Sequence, residues 1–502
     1  MTATLPEAAP ASRAGAGART RAGGPERIGP VFWLEQALAE ERAAGGVPEF
    51  CAPVRGVVRA DVCVVGGGFV GLWSAIEAAE QAPDASVVLI EAEGCGLGAS
   101  GRNGGWMTSW YDELDGLVAR FGPEQAAWLA EQSSRAIDRV EEVAGAEGID
   151  CGLRRGGALW AASSEAQLGA WDGPIAAARA LGAPARVEPL TREALHARSG
   201  ARGLLAGARL TDAGAVQPAL LVRGLRRLAL RRGVRIFEGT PMVSLDRSSP
   251  TPVVRTPGGR VEAGSVVIAL GAWAARLREL RRAIVPIASH IVLTEPIPDR
   301  LDALGWTGGE LLGDARMLVH YAQVTRDGRI AFGRGGGAIG PFGRVLARHA
   351  HDPKTVAIVA DDFRRWFPSL DDVRLTHAWG GAVDHAPGHL PFVGTIGDHA
   401  AIHYASGFSG NGVAPSAFVG RILGRRALGI TDDLTTCALV GGPPGYLPPE
   451  PLRSLGGFIV RDAVRRAEQA EELGHRPSKL ASTLRPLVWF TTPRTLEPRL
   501  RR

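Results

Sequence analysis

Gly66-Gly67-Gly68-Phe69-Val70-Gly71 sets glycines in a G-x-G-x-x-G spacing. Gly66 permits a tight turn, Gly68 lets backbone approach a pyrophosphate, and Gly71 lets a helix close onto a strand. The phosphates then sit on the helix N-terminus, where free N–H groups and the positive end of the dipole point at them. Glu91 can accept hydrogen bonds from a ribose diol, and its charge repels a 2′-phosphate; Ala92 follows it. A second glycine-dense stretch runs Gly98-Ala99-Ser100-Gly101-Arg102-Asn103-Gly104-Gly105. Its small residues let backbone pass close to a flat ring or a phosphate. Ser100, Arg102 and Asn103 can donate to anionic oxygens and to a ring edge. A third stretch, Gly407-Phe408-Ser409-Gly410-Asn411-Gly412-Val413, precedes a helix and offers amides and positive potential to a reduced ring. The first motif serves NAD and FAD alike. The loop 98–105 is too long and too specific for a plain NAD domain and points to a flavin.

These residues need elements to position them. Residues 60–81 read as apolar strand, glycine turn and amphipathic helix, and 86–92 as a second buried strand, so the first unit is βαβ. A helix is expected at 31–44, one or two over 112–148, and another over 217–233 ending at Gly233. Short strands such as 156–162 mark a mixed region, and a strand over 265–274 ends in a glycine turn. Residues 285–375 alternate short β runs with loops. The helix within "APSAFVGRILGRRALG" closes a glycine-dense segment, and one more is expected over 456–473 in a Pro/Arg-rich extension. The expected fold class is α/β (α+β): a Rossmann-like FAD-binding domain with a β-rich substrate-binding domain inserted, both discontinuous. The cofactor domain takes 31–149, 207–283 and 376–430; the substrate domain takes 150–206 and 284–375. Residues 1–30 form a disordered tail and 431–502 a C-terminal extension.

Composition narrows the class. A chain of 502 residues, 45% hydrophobic and 22% charged, is that of a globular protein with two or three domains. The net charge of +5 is nearly all arginine spread among acids, since Lys354 and Lys479 are the only lysines, and this argues against nucleic acid. Five scattered cysteines offer no zinc spacing and no metal site, and fit a reducing cytoplasm. No apolar run is long enough for a membrane span, and residues 1–27 lack the apolar core of a signal peptide. The expected location is cytoplasmic.

The stretches "VVGGGFVGL", "VLIEAEGCGLGASGRNGG", "VVIALGAWA", "DGRIAFGRG", "HAWGGAVDHAPGHLPFVG" and "HYASGFSGNGV" together resemble the FAD-dependent oxidoreductases related to D-amino acid oxidase, glycine oxidase and sarcosine oxidase. The likeness is greatest to the γ-glutamylputrescine oxidase-like branch and covers about residues 30 to 475. It implies that Ser100, Arg102, Asn103, Gly104 and Gly105 contact the flavin side of FAD. Val243 would pack at the adenine, Ala269, Gly271 and Trp273 would line the cofactor channel, and 407–413 would face the pyrimidine edge. Relatives with covalent flavin carry a cysteine where this chain has Gly380 or Gly381, which implies noncovalent FAD. The branch often shows Thr-x-Asp before "LPFVG"; here stands His385-Ala386-Pro387-Gly388, which implies an altered substrate contact. Some relatives use a lysine over the flavin for reaction with oxygen, and neither lysine lies in a motif that would place it there.

The reading for function is oxidation of a C–N bond in an amine or amino acid, with O2 or another electron acceptor. A dehydrogenase passing electrons to a quinone or carrier is the alternative, and a flavin-binding partner without catalysis is the reading from another class. No acid–base dyad is required, because a neutral amine passes hydride to flavin N5 once oriented. Candidates to face the substrate are His290, His320, Tyr321, Arg334 and His385. His290 and His320 stand beside apolar strand residues, which favours packing. Arg334 can grip a carboxylate or phosphonate bidentately, or form an interdomain salt bridge.

Overall fold

The computed structural model describes residues 31–307, 309–397 and 399–485. The tail expected at 1–30 lies outside the described residues, as does the end of the extension from 486. Among the described residues the strands form two eight-stranded sheets and one two-stranded ribbon. The first sheet runs Phe392–Thr395, Ile402–Ser406, Gly259–Ile268, Gly56–Val65, Val87–Ile90, Arg235–Phe237, with Val253–Thr256 and Ser244–Asp246 branching from Gly259–Ile268. Its centre is parallel: Val65 pairs with Ile90 on one side and Ile268 on the other, and Ile90 pairs with Phe237. Buried on both faces, these strands need continuous apolar runs, and "VCVV" and "VVLI" supply them. All four carboxyl ends therefore meet at one edge, carrying Gly66, Glu91, Glu238 and Ala269, where ligands of parallel sheets bind.

The helix Phe69–Gln81 covers one face of that sheet, and Pro415–Ala427 packs against the helix. The approach is close because two positions are glycine. A Cβ at Gly420 would lie 2.4 Å from Trp73 Cβ, and one at Gly424 would lie 2.7 Å from the Ser74 carbonyl.

The second sheet runs Leu375–His385, Val285–Thr294, Ile330–Arg334, His320–Val324, Leu311–Asp314, Ala158–Ala162, Ala206–Leu210, Val187–Leu190. Only the Leu311–Asp314 and Ala158–Ala162 pair is parallel. The helix Pro353–Trp366 packs Val356, Val359, Phe363 and Trp366 into the core on one face, at helical spacing. The expected fold class is what the structure has, a mixed α/β chain whose two sheets each draw strands from separated segments.

Details differ from expectation. The strand Leu375–His385 lies wholly in the second sheet, although a divide was expected at 375/376. Nothing in "LTHAWGGAVDH" breaks its pairing with Val285–Thr294, apart from an irregularity at Leu293/Thr294. Ala206–Leu210 likewise belongs to the second sheet rather than to a cofactor segment starting at 207. The 112–148 stretch agrees with the one or two helices expected there: it contains Leu114–Phe121 and Pro123–Ala146, parted at Gly122, whose φ of 80° ends the first helix. The helix expected at 456–473 starts earlier, as Leu452–Glu472. Among the described residues no helix is long and apolar enough to cross a membrane.

Candidate functional site

The glycine turn follows directly from sterics. Gly66 has φ 112°, and a Cβ there would sit 2.3 Å from the Ala269 carbonyl oxygen; a Cβ on Gly71 would sit 1.8 Å from the Gly66 carbonyl oxygen. The helix N-terminus is therefore held tight to the sheet edge. Phe69 N donates to Ser100 Oγ at 2.9 Å, and Gly67 N donates to Glu91 Oε2 at 2.6 Å. Burial raises the Glu91 carboxyl, against the hydrogen bonds from Gly67 and Glu93 that lower it. Thr240 N donates to the Glu91 carbonyl, which brings the 239–243 segment alongside. Val243 and Trp273 are large apolar side chains left 67% and 45% exposed, Trp273 within 3.7 Å of a Cβ on Gly98. Phe69 is buried, Val70 half-buried and Ala92 exposed.

The loop 98–105 is built from its own polar groups. Asn103 Nδ2 donates to the carbonyls of Ala99 and Ser100, and Gly105 N donates to Asn103 Oδ1. Arg102 Nε donates to the Leu97 carbonyl, and burial lowers the Arg102 pKa. Asn103, expected at a ring edge, thus spends its amide on closing the loop. Three residues that the sequence did not single out hold the loop from outside. Trp33 Nε1 donates to the Asn103 carbonyl at 3.1 Å, Trp379 Nε1 to the Arg102 carbonyl at 2.8 Å, and Gln323 Nε2 to the Gly104 carbonyl at 2.6 Å.

Below the loop lies a buried ion network. Glu238 accepts from Arg226 Nη2 at 2.7 Å, from Cys95 N at 2.7 Å and from Cys51 N at 2.6 Å. Arg223 donates to Glu41 and to the Cys95 carbonyl. All four charged side chains are buried. Burial alone would raise the Glu238 carboxyl, but Arg226 and the two amides hold it below its usual range.

The 407–413 turn is fastened from the second sheet. Asp384 accepts from Gly407 N at 2.6 Å, and Ser409 Oγ accepts from Ala386 N. Gly407 has φ 88° and would push a Cβ into Phe392 and Ala386, while Ser409 holds φ 53°, a left-handed conformation uncommon outside glycine. Burial raises the Asp384 carboxyl to about 6 despite these bonds. Phe408 is buried in the core, with Gly412 packed on it.

One cavity of about 1300 Å³ joins these parts. It is lined by Ala99, Arg102, Asn103 and Gly104 from the first loop, Ser409, Gly410, Asn411 and Val413 from the last, and Gly381, Ser289, Tyr321, His385 and His389 from the second sheet and its exit. Tyr321 packs on Gly104 and shares a 2.6 Å hydrogen bond with Ser289 Oγ; burial raises its phenol to about 12. His385 and His389 meet edge to face at 4.7 Å. Burial, then the neighbouring ring, lowers His385 to about 3, and burial lowers His389 to about 4, so both are uncharged at neutral pH.

Three candidates lie elsewhere. Arg334 Nη1 donates to Asp362 at 2.6 Å, within the second sheet's own layer, so its fork is neither interdomain nor turned to the cavity. His320 bridges Asp314 and Asp362 at 2.8 Å each, and those carboxylates raise its pKa against the effect of burial. His290 is fully buried, and burial lowers it to about 4. It also explains Gly380, where a Cβ would lie 2.7 Å from His290 Nε2 and 2.4 Å from the His349 carbonyl; Gly381 is the glycine at the cavity. Among the described residues no three His, Cys, Asp or Glu side chains converge as metal ligands.

A dinucleotide fits this arrangement. The Gly66–Gly71 turn and its helix end can take phosphates, Glu91 a ribose, and the exposed Val243 and Trp273 apolar rings. The 98–105 and 407–413 loops face one another across a cavity large enough for a flavin and a substrate.

Comparison with known proteins agrees. The family model described as "DAO: FAD dependent oxidoreductase" matches residues 61–426. The chain is 27% identical over 416 residues to the probable oxidoreductase OrdL of Haemophilus influenzae, covering 82% of this chain and 90% of that one. It is 29% identical over 371 residues to the γ-glutamylputrescine oxidoreductase of Escherichia coli, covering 73% and 83%. The glycine oxidase structure from Geobacillus kaustophilus superposes with a TM-score of 0.62 at 23% identity, over 76% of this chain and 98% of that one.

Proposed function

The chain belongs to the DAO family of FAD-dependent oxidoreductases, and from that premise we propose that it oxidises the C–N bond of an amine or amino acid, with FAD held noncovalently. The observation that carries this reading is the single cavity in which the two cofactor-facing loops meet Tyr321, Ser289, His385 and His389. FAD, when bound, supplies the acceptor for the hydride that leaves the carbon beside nitrogen. The second sheet carries the substrate side and the first sheet the cofactor side. His385, uncharged, accepts a hydrogen bond from the substrate amine in its neutral form and orients it. The Tyr321–Ser289 hydroxyl pair offers a donor to a second polar group of the substrate. The largely apolar walls keep bulk water from the reacting carbon, and the imine product hydrolyses to a carbonyl compound plus amine or ammonia. Relatives carry the names γ-glutamylputrescine oxidoreductase and glycine oxidase, which supports amine and amino-acid substrates.

Oxygen is the proposed acceptor, giving hydrogen peroxide. One observation favours a second reading with a carrier or quinone: Lys354 and Lys479 are both exposed and away from the cavity. Anaerobic addition of amines to the FAD-loaded protein tests the reaction, with bleaching of the flavin absorbance by at least one of them expected. A yellow protein that no amine or amino acid bleaches would overturn it. Readmitting air then separates the acceptors, since rapid return of colour with peroxide supports oxygen and a persistently reduced protein supports a carrier.

A further inference from the structure

Three segments, 273–284, 337–348 and 445–466, pack on one another beside the cavity. Leu447 N donates to the Arg282 carbonyl at 2.8 Å, and Arg282 Nε returns a bond to the Leu447 carbonyl at 2.9 Å. Phe342 N donates to Glu450 at 3.1 Å, and Arg461 Nη1 to the Gly337 carbonyl at 2.8 Å. A Cβ on Gly343 would lie 2.6 Å from the Ala275 carbonyl oxygen, which ties the first two segments together. Leu447, Pro448 and Leu452 line the cavity, yet Leu452 is 62% exposed, so the opening lies at these segments.

What these segments show to solvent is apolar and basic at once. Leu452, Leu455 and Ile459 recur at i, i+3 and i+7, one stripe of the helix Leu452–Glu472, and all three are exposed, as is Phe342. The same segments carry Arg276, Arg278, Arg281, Arg282, Arg344 and Arg348, all exposed and none of them in an ion pair among the described residues. The acids on these segments are already matched. Glu279 pairs with Arg247 at 2.7 Å, Glu450 with Arg453 at 2.5 Å, and Asp462 with Arg465 at 2.7 Å. Protruding apolar side chains beside unopposed cations are costly to leave in water and mark an interaction surface.

We infer that this face lies on an anionic lipid surface, with Phe342, Leu455 and Ile459 reaching below the headgroups, the arginines on the phosphates, and the cavity opening toward the lipid. Charge selects the partner. A second copy of the chain would set six arginines against six, and like charges facing one another oppose association. The guanidinium fork pairs with phosphate oxygens in two bonds, and the negative potential of an anionic leaflet draws a basic cluster to it. Shape agrees, since these apolar side chains stand out at 45–59% exposure, the form in which the early turns of an amphipathic helix enter a fluid interface. The inference concerns where the protein sits and goes beyond the proposed oxidation.

The test sediments the full-length, FAD-loaded protein with sucrose-filled vesicles of phosphatidylcholine alone or mixed with phosphatidylglycerol. The expected result is binding to the mixed vesicles, much weaker binding to the neutral ones, and release as salt rises. Arg344→Gln with Arg348→Gln should weaken binding to the mixed vesicles by about 30-fold, and Leu455→Ser with Ile459→Ser by about tenfold or more. All four positions are exposed and outside the cavity lining, so the flavin spectrum of both double variants should match the wild type. Absent vesicle binding, or equal binding by the wild type and both double variants, would overturn the inference. Wild-type dimers that Leu455→Ser with Ile459→Ser separates would also overturn it, by assigning the face to a second copy. So would capture by polyglutamate without binding to vesicles, which assigns the face to an acidic protein. Vesicle binding is read without turnover, so it stands or falls separately from the proposed oxidation.

Discussion

The Arg226–Glu238 pair gives the sharpest test of how the 98–105 loop is held. Replacing Arg226 by Met keeps most of the aliphatic bulk and removes the guanidinium. Glu238 would then stay buried, with the amides of Cys95 and Cys51 as its close donors and Arg223 as the nearest remaining cation, at 3.6 Å. Breaking one partner of a buried ion pair costs about 3–5 kcal/mol. The pH dependence has a definite sign. In the wild type the carboxyl is held below its usual value, so it contributes stability above about pH 4.5 that fades as pH falls. In Arg226→Met burial dominates and the carboxyl rises, so its penalty is full at pH 8 and shrinks toward pH 5. Urea unfolding of both proteins at pH 8, 6.5 and 5 measures this, with the Arg226→Met deficit expected to shrink at each step. The double variant Arg226→Met, Glu238→Gln should recover part of the loss at pH 8, because no bare charge remains. A deficit below about 1 kcal/mol at pH 8, or one independent of pH, would refute the reasoning.

Gly71→Ala should abolish FAD retention, because a Cβ 1.8 Å from the Gly66 carbonyl forces helix and strand apart at a cost of at least about 1–3 kcal/mol; the absorbance of the purified protein reads it. Trp379→Phe keeps the ring but loses the bond to the Arg102 carbonyl, worth about 1 kcal/mol, so FAD should bind the apoprotein about fivefold more weakly in a titration. Asp384→Asn should gain on the wild type as pH rises. The wild-type carboxyl titrates near 6 in the folded chain, so its buried charge costs up to about 3 kcal/mol above that pH and nothing below about 3.8. Unfolding midpoints from pH 4.5 to 7.5 check this, and a flat difference counts against it.

What the sequence revealed tracks what local sterics control. The Gly66–Gly71 turn, the loop 98–105 and the helices Phe69–Gln81 and Pro218–Arg231 were readable because each is specified by residues a few positions apart. Trp33, Trp379 and Gln323 carried no such signal, because their bonds to the loop span 70, 277 and 219 residues. Whether Arg334 would grip a substrate or form a salt bridge was open in the sequence because its partner Asp362 arrives from another element. Gly380 looked cofactor-facing because it adjoins Gly381, which lines the cavity; the His290 ring that claims the space beside Gly380 comes from the adjacent strand. The divide expected at 375/376 failed because the chain leaves the second sheet only after His385, with no composition change to mark it.

The interleaving of the two sheets dictates how the chain must be made. Gly56–Val65 finds its partner Gly259–Ile268 only after about 200 more residues have been synthesised, and Ile402–Ser406 joins later still. At roughly 5–20 residues per second, the edge of Gly56–Val65 that pairs with Gly259–Ile268 stays open for about 10–40 s, while Phe69–Gln81 and Val87–Ile90 follow it at once. The sheet is therefore completed from its middle outward, with the strand nearest the chain's end, Ile402–Ser406, joining after its neighbour Gly259–Ile268 has been made.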